Sequence, residues 1–469
     1  MVEARVQYGF LIDHTRCIGC HACTVACKSE NAVPVGDFRT WVKYVEKGTF
    51  PAVRRHFAVL RCNHCSSAPC VTICPVNALE KRADGIVDVD KDACIGCRAC
   101  MQACPYDALY LNDDTGSVEK CHYCAHKVER GMAPACVTVC PEEAIVHGDL
   151  HDPDSKIARL VREGTLVRRP EQKTGPNVHY RGVEPILLEP GKAVEPPMYL
   201  WSDRQRHKPA EAPLATDAAR VVLNAGHRVE WGGAVAAYLV TKGIAGGAAM
   251  LAPFSGVAYA PEIVALVFTA ITTFLLVEDL KRPLKFLTLL TRPNTRSWLV
   301  RGAWILIAFS GTVAAALAGQ WMGWEIGWLR WVNAVLGVAV AGYTAFLFRQ
   351  CEGRDLWQGT WVGPNLVVQA LALGAAVLVP FGAPLQGVLA DAAFVVVGLM
   401  LLEWKGDHAT HNAREGAAFL GRLKVGPVPL VAAALVLVAA GAFVPAAAIA
   451  GIAAWEWAFV RAGQLPALS

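Results

Sequence analysis

The sequence predicts a two-part chain, an α+β cysteine-rich half followed by an all-α transmembrane bundle of about eight helices. Two observations carry that prediction. Sixteen of the seventeen cysteines fall between Cys17 and Cys140, whereas apolar runs approaching the roughly 20 residues that span a bilayer occur only after residue 228. The formal charge of +4 on 469 residues adds an exclusion, because it lacks the basic excess of a nucleic-acid binder. The predicted domains are residues 1–150, a cysteine-free connector over 151–228, and the bundle over 229–469.

The cysteines form four groups of four: C-x2-C-x2-C-x3-C (Cys17, Cys20, Cys23, Cys27), C-x2-C-x4-C-x3-C-P (Cys62, Cys65, Cys70, Cys74), C-x2-C-x2-C-x3-C-P (Cys94, Cys97, Cys100, Cys104) and C-x2-C-x11-C-x3-C-P (Cys121, Cys124, Cys136, Cys140). This is the spacing of iron–sulfur ligation. Three thiolates lie on a loop folded round one cubane, and a short helix carries the fourth to a neighbouring cluster. Motifs that trade their last cysteine make two-cluster folds, so four groups predict a double ferredoxin-like iron–sulfur domain. Proline follows Cys74, Cys104 and Cys140, but Lys28 follows Cys27. Structural zinc closes with four ligands and has no use for the repeated proline exit. A disulfide framework belongs to small secreted domains, and the first residues lack the apolar core of a signal peptide. A purely structural role would need one cluster, not four in series. Short strands are expected over residues 6–12, 38–60 and 86–92.

Residues 151–228, rich in proline, glycine and charge, read as an extended strap leading to the membrane. The eight apolar runs are 229–251, 262–280, 299–319, 331–349, 364–381, 387–404, 426–443 and 446–460, the last being short. Connections after the even-numbered runs hold Lys281, Arg282, Lys285, Arg292, Arg296, Arg349, Arg354, Lys405, Arg414, Arg422 and Lys424, whereas the odd connections hold Arg330. That asymmetry predicts that the even connections, both termini and the iron–sulfur half face the cytoplasm. Docking of the cysteine-rich half is the other use such charges could have.

A b-type haem needs two axial ligands on membrane helices, usually histidines. After residue 228 the only histidines are His408 and His411, in one polar connection, with His227 just before the first run. No haem is therefore expected, and electrons must pass directly between a cluster and a quinone dissolved in the bilayer. His227, Tyr238, Lys242, Glu278 and Asp279 are the groups near that face able to hydrogen-bond a quinone or carry its protons. Asp391, Glu403 and Glu456 are further ionisable residues in membrane runs, and Cys351 reads as an ordinary thiol.

The cysteine groups resemble the four-cluster electron-transfer subunits of molybdopterin oxidoreductases. YLVTKGIAGGAAML (residues 238–251), LLVEDLKRPLKFLTLLTRPNTRSWLVRGAWIL (275–306) and YTAFLFRQCEGRDLW (343–357) resemble the NrfD-type membrane subunit of polysulfide reductase. The resemblance covers nearly the whole chain and is unusual in joining both subunits in one polypeptide. It implies four [4Fe–4S] clusters wired between a separate molybdenum or tungsten pterin subunit and a quinone site, in a prokaryotic cytoplasmic membrane. It also implies the pairing: Cys17, Cys20 and Cys23 with Cys140; Cys121, Cys124 and Cys136 with Cys27; Cys62, Cys65 and Cys70 with Cys104; and Cys94, Cys97 and Cys100 with Cys74. Some NrfD-type relatives belong to energy-converting complexes, so a bundle that moves protons through Lys242, Glu278, Asp279 and Asp391 is the alternative. A transporter with a regulatory cluster domain would need only one sensing cluster.

Overall fold

The computed structural model describes residues 6–48, 51–193, 219–223, 228–422 and 445–468. Among these, the first half contains two three-stranded sheets and two hairpins. Strand Tyr8–Asp13 pairs antiparallel with Ile145–Asp149 and parallel with Val178–Arg181. Thr40–Lys47 lies between Arg54–Arg61 and Arg220–Leu223, antiparallel to both. The hairpins Leu79–Lys81 with Val87–Val89 and Leu109–Asn112 with Ser117–Lys120 each follow a short cysteine-bearing helix. The connector departs from the expected extended strap. Its alternating V-H-Y-R buries Val178 and Tyr180 on one face, which makes it an edge strand, and Lys156–Arg162 is a helix capped by the Ser155 hydroxyl.

One ion-pair network braces this half. Glu119 is buried and accepts from Arg39 Nη2 and Lys91 Nζ, both at 2.6 Å, and from the Tyr110 hydroxyl at 2.8 Å. Burial pushes its carboxyl up, but these donors overcome that and hold it down to about 2. Its contribution to stability is therefore complete above about pH 4.5 and is lost as the pH falls toward 2. Glu119→Gln, which leaves the buried Arg39 guanidinium without its counter-ion, should cost about 3–5 kcal/mol. Melting followed through cluster absorbance should show the gap between variant and parent closing over that acid range.

The second half is a helical bundle. Six helices are long and apolar enough to cross a membrane: Gly233–Phe254, Ala260–Glu278, Trp298–Trp321, Leu329–Gln350, Val362–Phe381 and Gln386–Lys405. The expected span at 426–443 lies outside the described residues. The eighth is the helix Pro445–Gln464, which carries Glu456 and Arg461 and falls outside the six. The first helix is the hub, with 83% of its apolar window buried. A side chain at Gly247 would meet the Ala370 carbonyl, and one at Gly374 would meet the Gly247 backbone, so the first and fifth helices touch backbone to backbone. On the face away from the cysteines, Trp321, Trp324, Trp328 and Trp331 are exposed and form the aromatic belt of a membrane interface.

The two halves share a hydrogen-bonded seam. Arg282 donates to the carbonyls of Thr115 and Lys91, Asn294 Nδ2 to the Cys74 carbonyl at 2.8 Å, Ser297 Oγ to the Ile73 carbonyl at 2.7 Å, and Trp231 Nε1 to the Cys97 carbonyl at 3.2 Å. Lys285 reaches the Asp92 carbonyl, and Arg354 reaches Gln102 and Asp107. Part of the even-connection basic excess thus docks the first half. Arg330, on the opposite face, is paired with Glu262 at 2.7 Å.

Candidate functional site

Each cysteine group opens on a C-x2-C loop whose residue before the second cysteine is left-handed: Gly19 (φ 69°), His64 (43°), Gly96 (70°) and Tyr123 (62°). Such turns aim backbone amides into the loop, and the His64 N–H lies 3.5 Å from Cys62 Sγ. Glycine adopts this conformation freely. His64 and Tyr123 are held in it by packing: both are buried, their rings meet edge to face at 5.5 Å, and the Tyr123 hydroxyl donates to the Gly9 carbonyl at 2.6 Å.

Helices Pro69–Ile73 and Ala99–Ala103 stop at Cys74 and Cys104, whose backbones turn extended ahead of Pro75 and Pro105. The first group has no proline after its last cysteine, and there helix Ala22–Asn31 runs on past Cys27. The extra turn brings Asn31 Nδ2 to 3.7 Å from Cys27 Sγ and 3.9 Å from Cys124 Sγ. One amide thus bridges thiols from two groups.

The thiols gather in mixed sets. Cys27 joins Cys121, Cys124 and Cys136 round one cavity, and Cys74 joins Cys94, Cys97 and Cys100 round another. Cys104 stands within Coulombic reach of Cys62, Cys65 and Cys70. Cys140 stands within reach of Cys17, which itself neighbours Cys20 and Cys23. Among the described residues no three His, Cys, Asp or Glu converge closely enough for a lone ion, whereas four thiols round a small cavity suit a cage of iron and sulfide. The sets also run in a row. Cys97 borders the membrane half, Cys100 neighbours Cys70, Cys62 neighbours Cys121, and Cys23 neighbours Cys136. The row ends at the surface, where Cys20 is exposed and Cys17 and Cys140 are half-buried.

Burial pushes the Cys70 and Cys100 thiols well up, so metal must displace protons on binding. Fixed cations oppose that cost. Arg61 is wholly buried, donates from Nη1 to Cys136 Sγ at 3.3 Å and lies 4.5 Å from the Phe10 ring centroid, while its Nε and Nη2 have no partner. Lys120, also buried, donates to the carbonyls of Val87 and Cys121.

At the membrane end of the row, the first four helices and Pro75, Ile95 and Cys97 enclose an apolar cavity of about 470 Å³. Leu290 and Ile307 in its wall are half-exposed on the lipid side. Tyr238 and Asp279 line it, as do Trp231, Ser310 and Tyr343, which the sequence alone did not single out. Tyr343 was within reach, since it opens the 343–357 motif. The Asp279 carboxylate is taken up by Arg98 at 2.6 Å. Lys242 does not line the cavity: its ammonium bonds Thr344 Oγ1 and the Ala341 carbonyl. Glu278 is exposed and also absent from the wall, and His227 lies outside the described residues.

A row of thiol sets ending at an apolar, lipid-facing cavity is the architecture of a membrane-bound iron–sulfur electron-transfer protein. Residues 221–464 match the family described as polysulphide reductase, NrfD, and the chain belongs to it. Residues 53–150 match a 4Fe-4S dicluster domain and residues 14–36 a 4Fe-4S binding domain. The chain is 44% identical to a tetrathionate reductase subunit of Salmonella typhimurium over 191 residues, 40% of this chain and 76% of that one. It is 43% identical to the thiosulfate reductase electron transfer subunit PhsB of Salmonella typhi, over 40% of this chain and 97% of that one. A polysulfide reductase subunit of Wolinella succinogenes is 40% identical over 36% of this chain and 90% of its own length.

Proposed function

We propose that this chain is the electron-transfer and membrane-anchor subunit of a respiratory oxidoreductase, carrying electrons between a separate molybdopterin-type catalytic subunit and the quinone pool. The observation that carries the reading is the continuity of Cys97, which both belongs to a four-thiol set and lines the apolar cavity. Each of the four mixed sets would hold one [4Fe–4S] cluster, which supplies one-electron transfer when bound. Cys17, Cys20, Cys23 and Cys140 would hold the cluster nearest the surface, where a catalytic partner would dock. A quinone ring entering past Leu290 and Ile307 would lie against Tyr238, Ser310 and Tyr343, whose hydroxyls can hydrogen-bond its carbonyls. With a cluster site at the cavity wall, this route uses no haem. The relatives' names support a catalytic partner that acts on sulfur oxyanions or polysulfide. Arg349, Lys405 and Arg414 share the seam-side face but take no part in the seam bonds described above, which supports a cytoplasmic iron–sulfur half in a prokaryotic inner membrane.

The test is occlusion. Ala303→Trp places an indole in the cavity wall and should weaken binding of a hydroxyquinoline-N-oxide quinone analogue by about a hundredfold, roughly 3 kcal/mol, while iron per chain is unchanged. Unaltered analogue binding would place the quinone elsewhere.

A further inference from the structure

A second polar system lies inside the bundle, and the quinone reading does not use it. Glu403, Glu456 and Lys242 are 6%, 2% and 1% exposed. Glu403 Oε2 accepts from Asn365 Nδ2 at 3.0 Å, while Glu403 Oε1 and Asn365 Oδ1 have no partner. Glu456 stands within Coulombic reach of both Glu403 and Lys242, with Gln369 beside it. Both ends of this row lead somewhere. The Lys242 ammonium lies 4.5 Å from the ring centroid of Tyr343, which lines the quinone cavity. Glu403 lines a second cavity of about 750 Å³, which it shares with Glu352, Asp355, Asp407 and His408. That cavity is bordered by the exposed residues Glu171, Asp407 and Thr410 on the seam side.

Packing does not account for such a row. Buried ionisable groups with unpaired atoms cost more than apolar residues of the same volume would, and in membrane helices they mark ion or proton routes. Quinone chemistry supplies the need, because most of the quinone cavity's wall is apolar and its carboxylate, Asp279, is held by Arg98 at 2.6 Å, whereas Tyr343 in the same wall lies against Lys242. We propose that Lys242, Glu456 and Glu403 form an internal proton path that joins the quinone cavity at Tyr343 to the polar cavity at Glu403, on the iron–sulfur side. Oxidation of one quinol breaks its two O–H bonds, gives up two electrons one at a time to the oxidised iron–sulfur cluster that the thiol set of Cys97 would hold, and passes two protons in succession along this path to the polar cavity. Reduction of a quinone runs the same transfers backward. The path would thus exchange protons with the side that holds the clusters.

The proposal rests on the quinone reading, and its test separates the two. Glu403→Gln and Glu456→Gln keep shape and hydrogen-bonding capacity but cannot ionise. Each should lower kcat of quinone-coupled turnover by about tenfold or more, the ordinary weight of a proton-transfer group, with KM and analogue binding within about twofold and iron per chain unchanged. Turnover within about twofold of the parent in both variants would overturn the path. A readout on the unaltered protein guards against misfolded variants: the infrared difference spectrum on quinone reduction should contain a carboxyl band that moves when glutamate is isotopically labelled, and its absence would equally overturn the path. If Ala303→Trp abolishes analogue binding while both glutamine variants turn over normally, the cavity stands and only the path fails.

Discussion

Protein purified without oxygen is expected to carry about sixteen iron and sixteen acid-labile sulfide per chain, four cubanes on four thiol sets. Iron near four, or stoichiometric zinc, would refute the reading. The mixed composition of the sets makes a sharper prediction about single substitutions. Cys27 lies in the first group by sequence but rings a cavity with Cys121, Cys124 and Cys136, and Asn31 bridges it to Cys124. Cys27→Ser should therefore alter the spectrum of the set that also responds to Cys124→Ser, leaving the set of Cys17, Cys20, Cys23 and Cys140 as in the parent. Iron chelation should unfold residues 6–193 as a unit, because the buried thiols otherwise bind their sites only to one another and to a few cations. Circular dichroism that is unchanged after chelation would show that the small sheets suffice alone.

Arg61→Leu should lower the potentials of the two clusters it separates. The guanidinium touches Cys136, feels the charges of Cys23 and Cys121, and keeps two donor nitrogens unpaired. At about 6 Å from a cluster centre and an effective dielectric of about 20, one charge is worth about 3 kcal/mol, on the order of 100 mV for one electron. Reduction adds negative charge that the cation favours, so its removal makes both clusters harder to reduce. Potentiometric titration followed by electron paramagnetic resonance reads this directly. Arg61→Lys should recover much of the loss, and a leucine variant with the parent's potentials would assign Arg61 a packing role only.

The parts of this architecture that the sequence discloses are those with a fixed local period. Cysteine spacing encodes loop and exit helix together, and apolar runs encode membrane helices, because both signals lie within about twenty consecutive residues. Tertiary neighbours are not encoded in that way. Tyr238 and Lys242 are one turn apart and invite a single role, yet the first helix is surrounded on nearly every side. Tyr238 meets the apolar cavity, while Lys242, a turn deeper, meets the fourth helix and Glu456. The polar row itself draws on four helices that are distant in sequence. The loop basic residues were ambiguous for a related reason: a lysine or arginine beside a membrane can serve topology or docking, and Arg282, Lys285 and Arg354 serve docking. The connector's strand at Val178–Arg181 hid in a proline-rich stretch because four residues of alternation are too few to stand out.

The seam also imposes an order on biogenesis. Carbonyls of Ile73, Cys74 and Cys97, all in or beside the thiol loops nearest the membrane, are capped by Ser297, Asn294 and Trp231, and Gln464, more than 300 residues after the cysteine groups, bonds both Gln102 and the Trp231 backbone. A ribosome releases those partners long after the cysteines have emerged. The loops of the innermost set thus complete these hydrogen bonds only once helix Pro445–Gln464 is inserted, so iron delivery to that set belongs after membrane insertion, whereas the outermost set lies against a sheet whose strands all fall within residues 8–181 and can be loaded first.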